Sequence, residues 1–550
     1  MSLQPRVVYL VPEETARVAR AAFPHGTNRY MRRRDTLGTI FDDQHFIHLF
    51  SHTGQPAVSP YRLALVTIMQ FAEGLSDQQA ADAVRTRIDW KYALSLELTD
   101  PGFDSSVLSE FRSRLLAGGA EQVLFETLLT LLREQGLLKR RSRQRTDSTH
   151  VLAAVQALNR LELVGETMRA ALNSLAVVAP KWLRTFAPPD WFDRYTARCE
   201  EYRLPDAETQ RQALGQTIGG DGFHLLQAVY APDAPACLAS VPAVDILRQV
   251  WVQQYYGPQH VAWRTPEDSP PTAQVICSPY DLDARYGTKR DTTWIGYQVH
   301  VTETCEPDAP HLITDVTTTS ATMLDVATTP AIQQTLADHD RLPSVHLMDA
   351  GSIDAEHLVT SQREHQVTIC GPVMPETSWQ ARAGTGYAAS AFQIDWARQQ
   401  ATCPQGAVST GWKTSTDRNG NAVVKIAFPA TRCASCPARS ACTRARTAGR
   451  ELTVRTEAAH TALQAARKQQ LTAAFWQTYA TRAGIEGTLS QGIRRCDLRQ
   501  ARYSGAAKTR LQHLLIATAL NLIRAVNWLC ETSRAATRTS RFAALAPGST

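Results

Sequence analysis

The sequence predicts a multidomain α/β protein in which helical regions flank and interrupt a core that contains strands. Residues 1–140 carry apolar side chains at helical spacing, and five later segments have the short alternating pattern of strands. The length of 550 residues corresponds to roughly three to five domains. A chain of this size can bury several hydrophobic cores, so it needs no disulfide scaffold.

The N-terminal region, residues 1–140, is predicted to consist of helices. Ser76 and Gln79 form a capping-box pair at the start of one helix, and Asp104 or Ser105 caps a second one. Two helices at this loose spacing fit a helix–turn–helix, but such a pattern more often comes from helices that only pack in a core.

Strands and helices alternate after this region. A basic run at 139–145 leads into a first strand at 145–152, and an Ala- and Leu-rich helical stretch follows at 159–271. Four further strands are predicted at 297–302, 311–317, 345–349 and 366–370, with a helix between the last two. A Gly- and Thr-rich stretch with short strands comes next, and helices are predicted at 473–489 and 505–529. The predicted segments are 1–140, 141–158, 159–271, 272–375, 376–470, 471–530 and a basic tail at 531–550.

Basic residues are concentrated near the end of the chain. From residue 431 onward there are 19 Lys and Arg against five Asp and Glu, whereas the preceding 430 residues hold 39 against 47. Phosphates are the usual partner of concentrated arginine, so this distribution indicates nucleic-acid binding, although a solvated basic surface has the same composition.

Membrane and secreted classes are not expected. Glu13 and Glu14 interrupt the first apolar stretch, so the start does not read as a signal peptide. The most apolar late segment, 511–529, contains several polar residues and does not read as a membrane span. The eleven cysteines are an odd number, which does not suit a fully paired disulfide framework. We therefore expect a cytoplasmic protein with no membrane partner.

Three acidic residues stand out by position. Asp147 lies in the first predicted strand, Asp349 ends the fourth, and Glu486 lies on a late helix. On a continuous helix, Tyr479, Arg482 and Glu486 would fall within about 60° of one another. Two carboxylates at strand ends and one from a helix suit a site for two Mg²⁺ ions, which clamp the attacking and leaving oxygens of a phosphodiester. Considered singly, each acid also fits an ordinary strand-end, turn or solvated helix position.

The motifs around these acids resemble a known family. Thr146-Asp147-Ser148-Thr149, Asp349-Ala350-Gly351 and Tyr479-x2-Arg482-x3-Glu486 are similar to motifs of the DDE transposases of bacterial insertion sequences, and most similar to the group numbered eleven eighty-two. The resemblance runs over nearly the whole chain and includes Arg502-Tyr503-x-Gly505-x2-Lys508-x-Arg510 after the glutamate.

The resemblance implies a fold and a metal site. The fold is an α/β RNase H-like catalytic core, a mixed five-stranded sheet with helices, in which the first and fourth strands are neighbours. Asp147 and Asp349 then meet although they are far apart in sequence, and the stretches at 159–271 and 376–470 become insertions. The implied cofactor is a pair of Mg²⁺ or Mn²⁺ ions held by Asp147, Asp349 and Glu486.

The resemblance also implies an activity and a partner. The enzyme would cut the ends of an insertion sequence and join them to target DNA. Its partner would be double-stranded DNA, bound by a homodimer at the nucleoid of a bacterial cytoplasm. The N-terminal helices and the basic linker would recognise the ends, while the basic C-terminal segment would follow the DNA backbone. The DNA-contacting residues that we expect are Tyr479, Arg482, Arg494, Arg499, Arg502, Lys508, Lys289, Arg140 and Arg141.

The sequence departs from the family pattern at two positions. Ile493 stands seven residues after Glu486, where the family often has Lys, and Ser352 follows Asp-Ala-Gly, where many relatives have Tyr. Neither departure removes an expected metal ligand.

Four cysteines give a second candidate metal site. Cys403, Cys433, Cys436 and Cys442 have the spacing C-x29-C-x2-C-x5-C. Four thiolates with one CxxC suit tetrahedral Zn²⁺, which would stabilise a small strand-rich insertion with little core of its own. The alternative is four reduced cysteines without a metal.

Two other functions remain open at this point. A non-catalytic DNA-binding relative would keep binding but not cutting, and three intact acids argue against it. An RNase H-like nuclease without a strand-transfer step would use the same metal ligands, so the ligands alone do not separate it from a transposase.

Overall fold

The N-terminal region is helical, as predicted. The capping box at Ser76 is present: its hydroxyl accepts from the Gln79 backbone N–H at 3.2 Å, and the Gln79 side chain accepts from the Ser76 N–H at 2.8 Å. The helices are α1 (Glu13–Ala22), α2 (Arg29–Leu37), α3 (Pro60–Glu73), α4 (Asp77–Thr86), α5 (Ile88–Ala93), α6 (Ser106–Ala117) and α7 (Val123–Glu134).

A mixed sheet of six strands follows in this computed structural model. The model describes the chain except for residues 1, 6–8, 201, 203, 260, 533–541, 543–544 and 546–550, so the basic tail predicted at 531–550 lies almost entirely outside the described residues. The six strands are β1 (Gln144–Leu152), β2 (Arg285–Lys289), β3 (Thr292–Thr304), β4 (Ile313–Ser320), β5 (Val345–Leu347) and β6 (Thr368–Cys370).

Strand β1 lies at the centre of this sheet. The strand order is β2-β3-β1-β5-β6, and β4 also pairs with β3. β1 is antiparallel to β3 along its whole length, from Gln144 opposite Thr304 to Leu152 opposite Gly296, and parallel to β5. The expected five strands are therefore joined by β2, which the sequence did not indicate because residues 285–289 lack an alternating apolar pattern.

Two helices pack beside the short parallel strands. They are α13 (Asp325–Asp338) and α14 (Ala355–His365), and α14 is the helix that the sequence places between the last two strands. Asp354 caps α14 by accepting from the His357 N–H at 2.8 Å.

The stretch between β1 and β2 forms a helical unit with its own core. Its largest fully buried side chains are Trp251 and Tyr255, which pack against helix α11 (Glu208–Val229), where Gly222 and Gly219 leave room for the two rings. The helices are α8 (Arg160–Val178), α9 (Pro180–Phe186), α10 (Pro189–Tyr195), α11 (Glu208–Val229) and α12 (Pro242–Gln254).

The stretch after β6 contains short strands around a small core of its own. That core includes Phe392, Ile426 and Leu452, with Cys403, Cys433 and Cys442 packed against it. Its elements are α15 (Trp379–Arg382), β7 (Gln393–Asp395), β8 (Gln400–Thr402), β9 (Gly411–Thr416), β10 (Ala422–Ala427), α16 (Ala430–Ala434), α17 (Arg439–Cys442) and β11 (Glu451–Arg455).

The chain ends in four helices, and the last of them joins the main core. They are α18 (Glu457–Gln470), α19 (Ala473–Ala480), α20 (Gly484–Cys496) and α21 (Ala506–Leu529). The polar residues of 511–529, which argued against a membrane span, include ones that form hydrogen bonds inside the protein. Asn521, for example, donates to the Ile313 carbonyl at 2.8 Å and accepts from its N–H at 2.7 Å. No helix in the described part of the chain is long and apolar enough to cross a membrane.

The main hydrophobic core is continuous from the N-terminal helices to the sheet. It contains Phe111 of α6, Val299 of β3, Ile485 of α20 and Leu515 of α21, all of them buried. Because α21 contacts α3, α7 and β4, it fixes the N-terminal helices against one face of the sheet.

Candidate catalytic centre

Two of the three expected acids meet at the centre of the sheet. β1 and β5 pair with Arg145 opposite Leu347, and continuing this register places Asp147 level with Asp349. Burial raises the pKa of the Asp147 carboxyl, and the negative charge of Asp349 raises it further. The implied adjacency of Asp147 and Asp349 is therefore present in the fold.

Arg482 provides the positive charge closest to this pair. Its Nη2 lies 3.0 Å from Asp147 Oδ1, and both side chains are largely buried. Its charge opposes the rise in the pKa of Asp147 that burial causes. The Arg482 Nε is buried and has no hydrogen-bond partner among the described residues, so this guanidinium has unused donor capacity.

Tyr479 also lies beside the acids. Burial raises the pKa of its hydroxyl, and the charges of Asp349 and Asp147 raise it further while Arg482 lowers it. Its ring stacks on Phe475 at a centroid distance of 5.9 Å. Two of the three residues of the Tyr-Arg-Glu motif thus face the acid pair.

Glu486 is not brought together with the acid pair. The single helix predicted at 473–489 is wrong, because a 3₁₀ turn at Thr481–Ala483 separates α19 from α20. The expected common face of one continuous helix is therefore interrupted between Arg482 and Glu486. Glu486 is exposed in the first turn of α20. Within the described ranges, no three His, Cys, Asp or Glu side chains form a group that could hold a metal ion.

Ser352, one of the two departures from the family pattern, contacts the second acid directly. Its hydroxyl donates to Asp349 Oδ1 at 2.6 Å, and its backbone N–H donates to the Asp349 carbonyl at 3.1 Å. Asp349 is thus oriented by the residue that replaces the family's usual Tyr.

Sequence reasoning missed an acid beside the pair. Asp325 begins α13; its Oδ1 accepts from the Ser148 hydroxyl at 2.8 Å, and its Oδ2 accepts from Lys289 Nζ at 2.8 Å. Lys289 also donates to the Ser148 hydroxyl at 2.9 Å. Burial alone would raise the pKa of Asp325, but Lys289 and Ser148 lower it below its usual range. The available sequence signal was an acid in a helix's first turn, which ordinary helices also show.

The sheet beneath this cluster contains a neutral histidine. Burial lowers the pKa of His300 to about 4, although the carboxylates of Asp325 and Asp349 act in the opposite direction. His300 is therefore uncharged at neutral pH and adds no cation to the site.

The four candidate cysteines line one cavity in the strand-rich stretch, together with Arg450 and Arg432. Burial raises the pKa of the Cys442 thiol, and the other three thiols raise it further. Two sulfurs accept backbone hydrogen bonds, Cys403 from Ala407 at 3.3 Å and Cys433 from Arg450 at 3.4 Å. The four residues share one site, although no three of their thiols form a metal-ligating group in the described part.

The basic linker joins parts of the protein. Arg140 pairs with Asp340 at 3.1 Å, and Arg141 donates to the His365 carbonyl at 2.8 Å. Both residues are exposed at the surface, but these contacts fix the linker to the end of α13 and of α14.

The basic C-terminal residues divide into two groups. Arg494, Arg499 and Lys508 are exposed, and Arg499 Nε donates to Thr149 Oγ1 at 2.7 Å, two residues from Asp147. Arg502, by contrast, donates to the Leu75 carbonyl at 2.8 Å and lies 4.8 Å from the ring centre of Phe71. Arg502 therefore joins this segment to the N-terminal helices.

Comparisons with known proteins identify two parts of the chain. Residues 402–526 match a family described as "Transposase DDE domain", and residues 20–114 match one described as "Transposase domain (DUF772)". The first match contains the four cysteines, Tyr479, Arg482 and Glu486, whereas Asp147 and Asp349 lie outside it. No curated protein and no solved structure matches the chain.

Proposed function

Because its two matched regions make the chain a DDE transposase of the insertion-sequence type, we propose that it cuts the ends of its own element and joins them to target DNA. The observation that carries this proposal is the meeting of Asp147 and Asp349 beside Tyr479 and Arg482, two residues of the matched region. Membership of the group numbered eleven eighty-two stays a prediction, as does the five-stranded RNase H-like core with two insertions.

Divalent metal ions fit this acid site by charge. The raised pKa of Asp147 means that the positive groups nearby do not fully offset the cost of burying this one carboxylate. Carboxylate oxygens are the ligands that Mg²⁺ and Mn²⁺ prefer. Asp147 and Asp349 would hold two such ions, with Glu486 as the third donor from the start of α20. When bound, the ions supply a nucleophile at neutral pH and charge stabilisation at the phosphate.

The chain's own residues orient the DNA in this proposal. Arg482 compensates Asp147 in the absence of DNA, and its unpaired Nε is a donor for a phosphate oxygen next to the scissile bond. Ser352 holds the Asp349 carboxylate in place. Tyr479 packs at the edge of the site beside the reacting strand.

The DNA path follows the exposed basic residues. Arg499, Arg494 and Lys508 are solvent-facing, and the Arg499 contact with Thr149 leads the path to β1. Lys289 lies at the other side of the same strand. Arg140 and Arg141 are exposed as well and stay predicted DNA contacts, although each also binds a protein group. Arg502 reaches the Leu75 carbonyl in the N-terminal helices, so we assign it to holding the structure. The proposed partner is double-stranded DNA bound by a homodimer at the nucleoid of a bacterial cytoplasm.

A structural Zn²⁺ is a separate proposal for the strand-rich insertion. The four thiols share one cavity, and the backbone N–H groups already point at two of the sulfurs. Arg450 lines the same cavity, and its buried Nε has no hydrogen-bond partner in the described structure. A four-thiolate zinc centre carries net negative charge, which this guanidinium would offset.

The rival functions differ in their products. A non-catalytic relative binds DNA and leaves it intact, whereas a nuclease without strand transfer gives cut ends and no joined product. An assay with a labelled 3′-OH end of the element and unlabelled target DNA separates the three, because only a transposase transfers the label to the target.

The acids are tested by removing charge while keeping size. We expect Asp147→Asn, Asp349→Asn and Glu486→Gln each to lower Mg²⁺-dependent cleavage by roughly 10³-fold or more, because ligands of one site act as a unit. Metal-free DNA binding, measured by gel shift, should persist in all three.

Matched controls for the acids lie on α14. Asp354→Asn keeps a capping side chain, and Glu356→Gln changes a nearby acid, so both should retain most activity. If the Glu486→Gln protein still cleaves DNA substantially and the Asp325→Asn protein does not, the third metal ligand is Asp325 and not Glu486.

The DNA path is tested by salt dependence. Each lost phosphate contact should lower the slope of log affinity against log salt concentration by about 0.9. We therefore expect Arg494→Ala and Lys508→Ala to reduce the slope on specific and random duplexes alike, while Lys181→Ala and Arg184→Ala, exposed on α9, leave it unchanged. If all four variants have the same slope as the wild type, the C-terminal segment is only a solvated surface.

The zinc proposal predicts about one zinc per chain by elemental analysis of protein purified without chelators. Cys436→Ser should abolish the zinc and lower the melting temperature, because metal ligation supplies folding free energy. Cys237→Ser, which changes an exposed cysteine of the helical insertion, is the control. Wild-type protein that contains no zinc, and whose melting temperature does not change when zinc is added, contradicts the proposal.

A further inference from the structure

A buried cluster of charges lies between β1 and the helix that carries Glu486. Glu303 of β3 is fully buried, and its Oε1 accepts from Arg145 Nε at 2.8 Å. Its Oε2 accepts from Arg524 Nη1 at 2.8 Å and from the Thr488 hydroxyl at 2.5 Å. One carboxylate thus binds arginines from β1 and α21 and a hydroxyl from α20.

The same cluster contacts the 3₁₀ turn and α20 at successive turns. Arg145 donates to the Thr481 carbonyl, and a Cβ on Gly484 would lie 2.2 Å from Arg145 Nη1. A side chain at position 484 would therefore have to displace the guanidinium from the start of α20. Further along the helix, Arg524 Nη2 donates to the Thr488 hydroxyl at 2.7 Å and to Gln491 Oε1 at 2.9 Å.

This arrangement links the two elements that carry the acids. Arg145 and Asp147 are two residues apart on β1, so their side chains leave the same face of the sheet. Residues 481, 484, 488 and 491 face the cluster, while Glu486 lies on the other side of α20 and is exposed. The distance between Asp147 and Glu486 consequently depends on the hydrogen bonds by which Arg145 and Arg524 hold the 3₁₀ turn and α20.

Stability alone does not account for such a cluster. Removing three charges from water costs free energy, and apolar side chains of similar volume often give equal or greater stability. The cluster adds directional hydrogen bonds, because a planar guanidinium donates well only to carboxylate and carbonyl oxygens within a narrow range of positions. An apolar contact at the same place would allow α20 to slide or rotate.

We propose that the Arg145–Glu303–Arg524 cluster is the positioning element of the acid site: it fixes the position and rotation of α20 relative to β1, and thereby sets how far the Glu486 side chain has to reach to metal ions held by Asp147 and Asp349. The inference rests on the proposed metal-dependent function. Glu303 touches neither DNA nor metal in this account, so it is a positioning residue.

The test uses Glu303→Gln, which keeps the size of the side chain but removes the charge shared by the two arginines. We expect Mn²⁺ affinity, measured by electron paramagnetic resonance without DNA, to fall by about tenfold, the usual effect of losing a partner that orients metal ligands. Hydrogen exchange without metal should rise in α20 and not in β3. Metal-free DNA affinity should stay within about twofold of wild type, since the basic surface is unchanged.

Two further variants keep the proposal open to contradiction. Arg524→Lys retains the charge but loses the paired hydrogen bonds of the guanidinium to Thr488 and Gln491. We expect the same fall in Mn²⁺ affinity for this variant, which tests the proposal even if the Glu303→Gln protein does not fold. Asp77→Asn breaks the largely buried Arg112–Asp77 pair in the N-terminal helices and should leave Mn²⁺ affinity unaltered.

The outcomes are distinguishable from a failure of the proposed function. Wild-type protein that binds Mn²⁺ through Asp147 but does not cut DNA refutes the function, while the Mn²⁺ comparison still tests the cluster. Wild-type Mn²⁺ affinity in the folded Glu303→Gln and Arg524→Lys proteins, with only a lower melting temperature, overturns the inference.

Discussion

Glu303 is the buried residue that joins the elements around the candidate catalytic centre. It is fully buried on β3, opposite Arg145 of β1, and it also binds Arg524 of α21 and Thr488 of α20. A buried carboxylate is tolerated only when cations and hydrogen-bond donors satisfy it, so these four elements are held in one relative geometry. In the proposed positioning role, this geometry sets where Asp147 of β1 and the helix of Glu486 lie relative to each other.

The central strand explains how distant parts of the sequence form one site. β1 lies between β3 and β5, so Asp147 is level with Asp349 across one strand pair, and Arg482 pairs with Asp147. The helical stretch between β1 and β2 has its own hydrophobic core, as does the strand-rich stretch after β6. Each stretch therefore forms its core without side chains of the central strands.

Much of this arrangement could be predicted from the sequence. The pattern at 145–152 and the helical periodicity of α4, α6 and α21 were sufficient for these elements, and the family motifs indicated that Asp147 and Asp349 meet. Local patterns could not indicate β2, which pairs through its backbone and has little apolar alternation. Nor could they indicate the 3₁₀ turn at Thr481–Ala483, because Arg145, which donates to the Thr481 carbonyl, is more than 300 residues away.

Charge was the least predictable property. A basic run reads the same whether it binds phosphate or protein, and only the fold shows that Arg140 pairs with Asp340 while Arg502 lies over Phe71. Asp325 was missed for a similar reason. Asp325 begins a helix, whereas its partners Ser148 and Lys289 lie on two different strands, and no spacing along the chain links the three.

The central claim is that acids from β1, the end of β5 and α20 hold the catalytic metal ions together. The most direct measurement is anomalous diffraction from crystals of the protein bound to Mn²⁺ and a duplex of its element's end. We expect manganese ligated by the carboxylates of Asp147, Asp349 and Glu486. Manganese bound by Asp147 and Asp349 together with Asp325, with Glu486 still in solvent, would contradict this claim.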